Sequence, residues 1–125
     1  MTNVPTFMMN IPSSYDTAVR NNVWMEEYDD EDIIVNKPKA IREMWEVYSF
    51  LASQGFVYLL PTPIDCNLQD LVFVANNGIV LQHTPIYIGS NFKATNRIGE
   101  EVIGMRFFDS LGYKTIRSPF EFEGE

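Results

Sequence analysis

The chain has 125 residues, of which 46% are hydrophobic and 14% aromatic, and this composition is typical of one folded domain. Seventeen acidic and nine basic residues give a net charge of -8, which opposes binding to nucleic acid or to an anionic membrane surface. A single cysteine excludes an internal disulfide, and no signal sequence or long apolar run is present, so we expect a cytoplasmic protein.

The first regular element that the pattern predicts is a helix. Asn36 can accept a hydrogen bond as its N-cap, Pro38 suits its first turn, and Gly55 is placed to end it. Apolar residues recur between these positions at intervals of three and four, which predicts one face in the core. The acidic run before this helix, residues 26–32, is interpreted as a solvated loop because it lacks the glycine and the ligand spacing of a calcium loop.

Short strands and a second helix are predicted after Gly55. Apolar runs bounded by Pro, Gly and Asn are typical of strands, and they occur at residues 56–60, 71–75, 79–81, 86–88 and 113–116. The second helix is predicted for residues 100–111, with Gly112 ending it. This succession predicts an α/β fold.

The two predicted helices end in similar sequences. Residues 50–56 and 107–113 share aromatic, apolar, Ser, Gly and aromatic positions in register, at an offset of 57 residues. This offset is longer than a typical solenoid unit, so it indicates a repeated module of one helix and several strands. A chance match of seven positions is the alternative.

A carboxylate stands at the entrance of the apolar run 71–75. Asp70 precedes this run, which ends in Asn76, Asn77 and Gly78. Polar side chains at the two ends of a buried strand can form a binding site, and the carboxylate could bind a cation. The alternative is an Asp that only terminates a loop.

Four segments of the chain, taken in order, resemble the amidinotransferase and dimethylarginine dimethylaminohydrolase superfamily. These enzymes, the penteins, modify guanidino groups, and the segments are residues 21–25, 68–78, 91–101 and 122–125. The resemblance implies a pentein-type α/β propeller of five ββαβ modules, of which about two would be present. Residues 1–125 would then be the N-terminal part of a single pentein domain.

The resemblance also implies roles for the residues around the run 71–75. Asp70 would bind the guanidinium group as a catalytic residue, and Phe73 would pack near the substrate. Asn76 stands where relatives often carry an acid that contacts the substrate. An amide at that position would weaken cation binding and could mark a different substrate.

Two further positions come from the later motifs. Arg97 matches a position that binds the α-carboxylate of amino-acid substrates, and the alternative is a surface residue ahead of a helix. Either Glu123 or Glu125 would supply a second catalytic carboxylate that orients the guanidinium group, and the motif does not decide between them.

Penteins use a cysteine nucleophile near the C-terminus and a histidine that follows the Phe-Glu-Gly-Glu segment. Cys66 and His83 do not match these positions and are interpreted as a loop thiol and a turn residue. We therefore expect the N-terminal portion of an amidinotransferase or guanidino-group hydrolase. It would act on arginine-like substrates through a cysteine-bound amidino intermediate, with the Cys and His supplied by a missing C-terminal part. The 125 residues alone would be inactive.

The resemblance implies no metal and no organic cofactor, and it implies a small guanidino substrate such as arginine as the partner. Two alternatives stay open. The first is a non-catalytic pentein binding module. The second is a half-protein that assembles with a separately encoded C-terminal half or as a homo-oligomer, because an unclosed propeller exposes sheet edges.

Overall fold

The computed structural model describes residues 3–81 and 83–124. Five strands and two helices form the framework, and three short 3-10 helices lie in the connections. The strands are β1 (Thr6–Asn10), β2 (Phe56–Leu60), β3 (Gly78–Val80), β4 (Ile86–Gly89) and β5 (Lys114–Arg117). The helices are α1 (Lys37–Gln54) and α2 (Glu100–Ser110).

Helix α1 begins and ends where its sequence predicts. The side chain of Asn36 accepts a hydrogen bond of 3.0 Å from the backbone N–H of Lys39, and Pro38 lies in the first turn. At the other end the N–H of Gly55 donates to the carbonyl of Leu51 at 3.0 Å. Strand β2 follows directly and pairs in parallel with β1, so the first unit of the fold is strand, helix, strand.

The second unit has the same order. Strand β4 pairs in parallel with β5, helix α2 connects them, and β3 joins β4 on its other side in antiparallel orientation. Helix α2 packs on this sheet through Phe108, whose ring stacks on that of Tyr87 at a centroid distance of 4.3 Å. The main buried apolar side chains are Met44, Leu60, Leu71, Tyr87, Phe92 and Phe108. The described residues therefore form a mixed α/β structure with two small sheets.

Most predicted elements are confirmed. Strand 56–60 has the predicted bounds, and the strands predicted at 79–81, 86–88 and 113–116 are shifted or extended by one residue. The helix predicted at 100–111 ends one residue earlier. The strand Thr6–Asn10 was not predicted.

The strand predicted at residues 71–75 is wrong. The N–H of Phe73 donates to the carbonyl of Asp70 at 2.9 Å, and the N–H of Asn76 donates to that of Phe73 at 3.1 Å. These local bonds form turns that lead into the 3-10 helix Val74–Asn77, so the backbone does not pair with a strand. Leu71 is still fully buried, and this burial explains why the segment is apolar.

In the described part of the chain, no helix combines the length and the hydropathy that crossing a membrane requires.

Candidate functional site

Asp70 is a buried residue that lines a cleft. Asp70 is in the turn that precedes the 3-10 helix Val74–Asn77, and only 6% of its surface is exposed. The side-chain amide of Asn21 donates a hydrogen bond to Oδ2 of Asp70, and that of Asn96 lies 3.5 Å from the same oxygen. Two amide groups from separate segments therefore hold this carboxylate in place.

The cleft beside Asp70 is acidic and aromatic, and its volume is about 400 Å³. Its lining contains three carboxylates (Asp16, Asp32 and Asp70) and four aromatic rings (Tyr15, Trp24, Tyr28 and Phe73). None of the described residues that line it is Lys or Arg. Carboxylates and the faces of aromatic rings both attract cations, so the cleft suits a positively charged ligand.

One wall of the cleft is formed by residues between 15 and 33, and the side chain of Gln69 fixes this segment to the turn that contains Asp70. Oε1 of Gln69 accepts a hydrogen bond of 3.0 Å from the N–H of Val19, and Nε2 of Gln69 donates to the carbonyl of Val19 at 2.8 Å. On the wall, Asn22 caps the 3-10 helix Val23–Glu27 by accepting the N–H of Trp24 at 2.9 Å. The acidic run 26–32 is exposed, as predicted, although its first two residues belong to this short helix.

Phe73 lines the same cleft. Its ring meets that of Tyr15 edge to face at a centroid distance of 5.9 Å, and 48% of the residue is exposed. An aromatic ring left half open beside a buried carboxylate can pack on the hydrocarbon part of a cationic ligand.

Arg97 lies behind Asp70 and does not line the cleft. Its Nε and Nη2 donate to the two carboxylate oxygens of Glu100 at 3.1 and 2.8 Å, and its guanidinium carbon lies 4.6 Å from the centroid of the Phe92 ring. Nη1 donates to Oδ1 of Asn76 at 3.3 Å. Its guanidinium is therefore buried and committed to groups of the protein itself.

The segment containing Glu123 joins this group from the far end of the chain. The side-chain amide of Asn76 donates to the carbonyl of Glu123 at 3.3 Å, and Oε2 of Glu123 lies 4.0 Å from Nη1 of Arg97. A pair of backbone hydrogen bonds between Asn91 and Phe122 fixes this segment. Gly124 has φ +73°, and a Cβ there would lie 2.3 Å from the carbonyl oxygen of Ala75, so only glycine permits this close approach.

Two adjacent glutamates at the start of α2 are fully buried. Burial raises the pKa of Glu100, the hydrogen bond and charge of Arg97 oppose that rise, and the charges of Asp70 and Glu101 add to it. Glu101 turns away from this group: it pairs with Arg117 at 3.2 Å and accepts the N–H of Gly99 at 2.8 Å. Acids in the first turn of a helix are usually explained by the helix dipole, so the sequence did not indicate that these two are buried.

The structure thus brings together four of the predicted site residues, Asp70, Asn76, Arg97 and Glu123, and places Phe73 on the adjoining cleft. Glu125 lies outside the described residues. Cys66 lines a separate cleft beyond Gln69, and His83 lies in an exposed turn between β3 and β4. Within residues 3–81 and 83–124, no group of three or more His, Cys, Asp or Glu side chains is arranged to hold a metal ion.

Sequence reasoning missed the roles of Gln69 and Glu100 and the rings of Tyr15 and Tyr28, whereas Asn21 and Trp24 were already candidates to frame a substrate loop, with a buried Trp and turn-forming asparagines as the alternative. Asn21 lies within a recognised segment, but its contact with Asp70 depends on the tertiary fold. The clustering of Trp24 and Tyr28 around the acidic run was the signal that could have indicated a cation-binding wall.

Solved structures of two proteins match this fold closely. AgrE, as a cysteine-to-alanine variant in a binary complex with L-arginine, is 31% identical with a TM-score of 0.81 over 95% of this chain. The N-terminal domain of ArgZ, an arginine dihydrolase from the ornithine–ammonia cycle in cyanobacteria, is 27% identical with a TM-score of 0.80 over 94% of this chain. AgrE and ArgZ are members of the pentein superfamily, and this chain is similar to them in fold and in sequence.

This chain spans only part of each relative, 17% of AgrE and 41% of the N-terminal domain of ArgZ. AgrE has also been solved in a ternary complex with ornithine and NAD+, and the ArgZ domain has been solved bound to its product. No family model and no curated protein sequence matches the chain.

Proposed function

We propose that this chain supplies the guanidinium-binding part of an enzyme that acts on arginine or a similar guanidino compound. The cleft beside Asp70 is the observation that carries the proposal. It combines a buried carboxylate with aromatic walls, and its described lining contains no Lys or Arg. A guanidinium ion is a planar, weakly hydrated cation that forms strong hydrogen bonds to carboxylates and stacks on aromatic rings.

Asp70 is the proposed anchor for the guanidinium group. Its carboxylate is held from one side by the amide of Asn21, and the cleft lies beside it. In a partly buried site a carboxylate attracts a cation more strongly than in water, because solvent screening is reduced. Fixing the guanidinium plane also presents its central carbon for attack, which is the main contribution that positioning makes to such a reaction.

Glu123 is the proposed second carboxylate, and Asn76 is the proposed neutral contact between the two acids. The carboxylate of Glu123 is 45% exposed, so it can turn toward a ligand without a large desolvation cost. Asn76 already uses Oδ1 to accept from Arg97 and Nδ2 to donate to the carbonyl of Glu123. Glu125 stays a prediction as the alternative second acid.

The proposed chemistry is amidino transfer through a cysteine that lies outside these 125 residues. The thiolate would attack the guanidino carbon, the leaving amine would take a proton from a histidine, and water or a second amine would then release the amidino group. Complexes of relatives support this: the arginine complex of AgrE is a cysteine variant, and a variant ArgZ domain is covalently bound to a reaction intermediate.

The proposal is tested by measuring the affinity for L-arginine and for methylguanidine, using calorimetry and amide NMR titrations of the protein and of Asp70→Asn. Asparagine preserves the size of the side chain but removes its charge, so we expect affinity for both ligands to fall by about tenfold or more. Asp65→Asn is the matched control, because it removes the same charge outside the cleft at a residue with φ +58°, a backbone conformation that Asn adopts readily.

Equal affinities of Asp70→Asn and the unaltered protein would remove Asp70 from the site. Absence of binding to either ligand by the unaltered protein would refute the proposed function. Urea unfolding of both variants shows whether a loss of affinity reflects a loss of folded protein.

A further inference from the structure

Glu100 is a fully buried acid that the proposed function does not use. It is the first residue of α2, where acids are usually solvated and interact with the helix dipole. Here its side chain instead directs both carboxylate oxygens at Arg97, with distances of 3.1 and 2.8 Å. A buried charge is costly unless it is paired and hydrogen-bonded, so this arrangement restricts the orientation of Arg97 strongly.

We propose that Glu100 is a positioning residue for the guanidinium site, acting through Arg97 on Asn76. This inference rests on the proposed function. The side chain of Glu100 is completely buried, unlike that of Glu123, so a ligand cannot reach it directly. Its action is to fix one guanidinium inside the protein so that a second guanidinium, that of the ligand, meets a defined set of polar groups.

The contacts of Arg97 show how this action reaches the site. The carboxylate of Glu100 accepts hydrogen bonds from Nε and Nη2 of Arg97, and the ring of Phe92 covers one face of the guanidinium group. Nη1 is then directed at Oδ1 of Asn76, whose Nδ2 must consequently point to the carbonyl of Glu123. An amide can be flipped by 180° at little steric cost, so it is this donor at Oδ1 that decides which end of Asn76 faces which neighbour.

Glu100 also neutralises Arg97 electrostatically. Arg97 stays charged under all physiological conditions, and its Nη2 lies 3.5 Å from the backbone oxygen of Asp70. Without a paired carboxylate, this cation would repel a guanidinium ligand held by Asp70. With Glu100 in place, the negative charge of Asp70 remains available to the ligand.

The test compares Glu100→Gln with Glu101→Gln, which neutralises an equally buried acid on the same helix that pairs with Arg117 instead. The probes are L-arginine and agmatine, which is arginine without its carboxylate. We expect Glu100→Gln to weaken the binding of both probes by about tenfold, because one charge-assisted hydrogen bond to Arg97 is lost and Arg97 becomes an unpaired cation. Glu101→Gln should retain the affinity for both.

NMR of the ligand-free protein gives a readout that a loss of stability alone would not change. We expect Glu100→Gln to shift the Nε–H signal of Arg97 and the side-chain amide signals of Asn76, whereas Glu101→Gln leaves both in place. In an Arg97→Met background, Glu100→Gln should cause no further loss of affinity, because the residue through which it acts is absent.

Four outcomes overturn the inference. Glu100→Gln could bind both probes as tightly as Glu101→Gln does. It could instead lose affinity for arginine but not for agmatine, which would indicate that Arg97 binds the α-carboxylate of arginine. Glu100→Gln could also leave the side-chain amide NMR signals of Asn76 unchanged. Finally, it could lower the affinity for the probes further when Arg97 is already replaced by Met. If the unaltered protein binds neither probe, the proposed function fails and this role fails with it. Normal binding by the unaltered protein and by Glu100→Gln refutes the positioning role alone.

Discussion

The buried pair of Arg97 and Glu100 predicts an asymmetric effect on stability. The side chain of Arg97 is 10% exposed and that of Glu100 is completely buried. Arg97→Met keeps an unbranched side chain over the ring of Phe92 but leaves the carboxylate of Glu100 buried without a cation. Removing one partner of a buried pair costs about 3 to 5 kcal/mol, so we expect the free energy of unfolding to fall by that amount.

Removing both partners should cost much less than removing either one. In Arg97→Met/Glu100→Met, apolar side chains of similar length replace the pair, and such replacements are often close to neutral. We therefore expect the coupling energy between the two positions to be at least as large as the cost of one single replacement, about 3 kcal/mol or more. The control is Arg117→Met. The side chain of Arg117 is 51% exposed, and its partner Glu101 still accepts a hydrogen bond from the N–H of Gly99 in this variant. We therefore expect a cost of about 1 kcal/mol.

Urea unfolding followed by circular dichroism measures five proteins at one pH and salt concentration: the unaltered protein, Arg97→Met, Glu100→Met, the double variant and Arg117→Met. If Arg97→Met is too unstable to fold, the double variant still tests the argument, because it should fold. A cost for Arg97→Met no larger than that for Arg117→Met, or a double variant as unstable as the sum of the two single variants, would refute the reasoning.

Two further predictions concern stability. Burial raises the pKa of Glu100 in the folded protein; Arg97 lowers this pKa, and the charges of Asp70 and Glu101 raise it further. The contribution of Glu100 to stability is therefore present below its ordinary pKa of 4.5 and is lost as the pH rises through the pKa of the folded protein. Urea unfolding across this range should show a decline that Glu100→Gln lacks, and parallel curves would contradict the assignment. Gly104→Ala should cost about 1 to 3 kcal/mol, because a Cβ there would lie 2.4 Å from the hydroxyl oxygen of Tyr87. Tyr87→Phe in the same chain should recover part of that loss in a thermal melt, since it removes the nearest atom, and no recovery would show that the clash is elsewhere.

Local sequence signals predicted the helices and most strands because the signals act within a few residues. The cap at Asn36 and the end at Gly55 depend on backbone groups at most four residues away. Strand β1 was missed because its pairing partner, β2, lies 50 residues further along the chain and its five residues show no alternation or turn signal. The run 71–75 has the composition of a strand, but burial of Leu71 accounts for its hydrophobicity without strand pairing.

The resemblance selected site residues that the structure brings together, although they are separated by up to 53 positions in the sequence, from Asp70 to Glu123. It did not indicate the burial of Glu100, because an acid in the first turn of a helix already has a complete local explanation. The contribution of Tyr28 was missed for a similar reason: an exposed loop rich in acids explains this residue until the cleft that it lines is known.

The cation behind the site explains how so many acids can be placed close together. The carboxylates of Glu100 and Glu123 lie 2.8 and 4.0 Å from the guanidinium of Arg97, which also lies 3.5 Å from the backbone oxygen of Asp70. These three acids and one guanidinium carry a net charge of -2 when ionised. Without Arg97 no cation would offset the mutual repulsion of these acids. With Arg97 bound to Glu100, the remaining negative charge belongs to Asp70 and Glu123, one beside the cleft and one half exposed. A ligand guanidinium placed between them would reduce the net charge to -1, whereas an anion would increase it. The internal guanidinium therefore makes the carboxylate cluster stable enough to exist and still leaves it selective for a second cation.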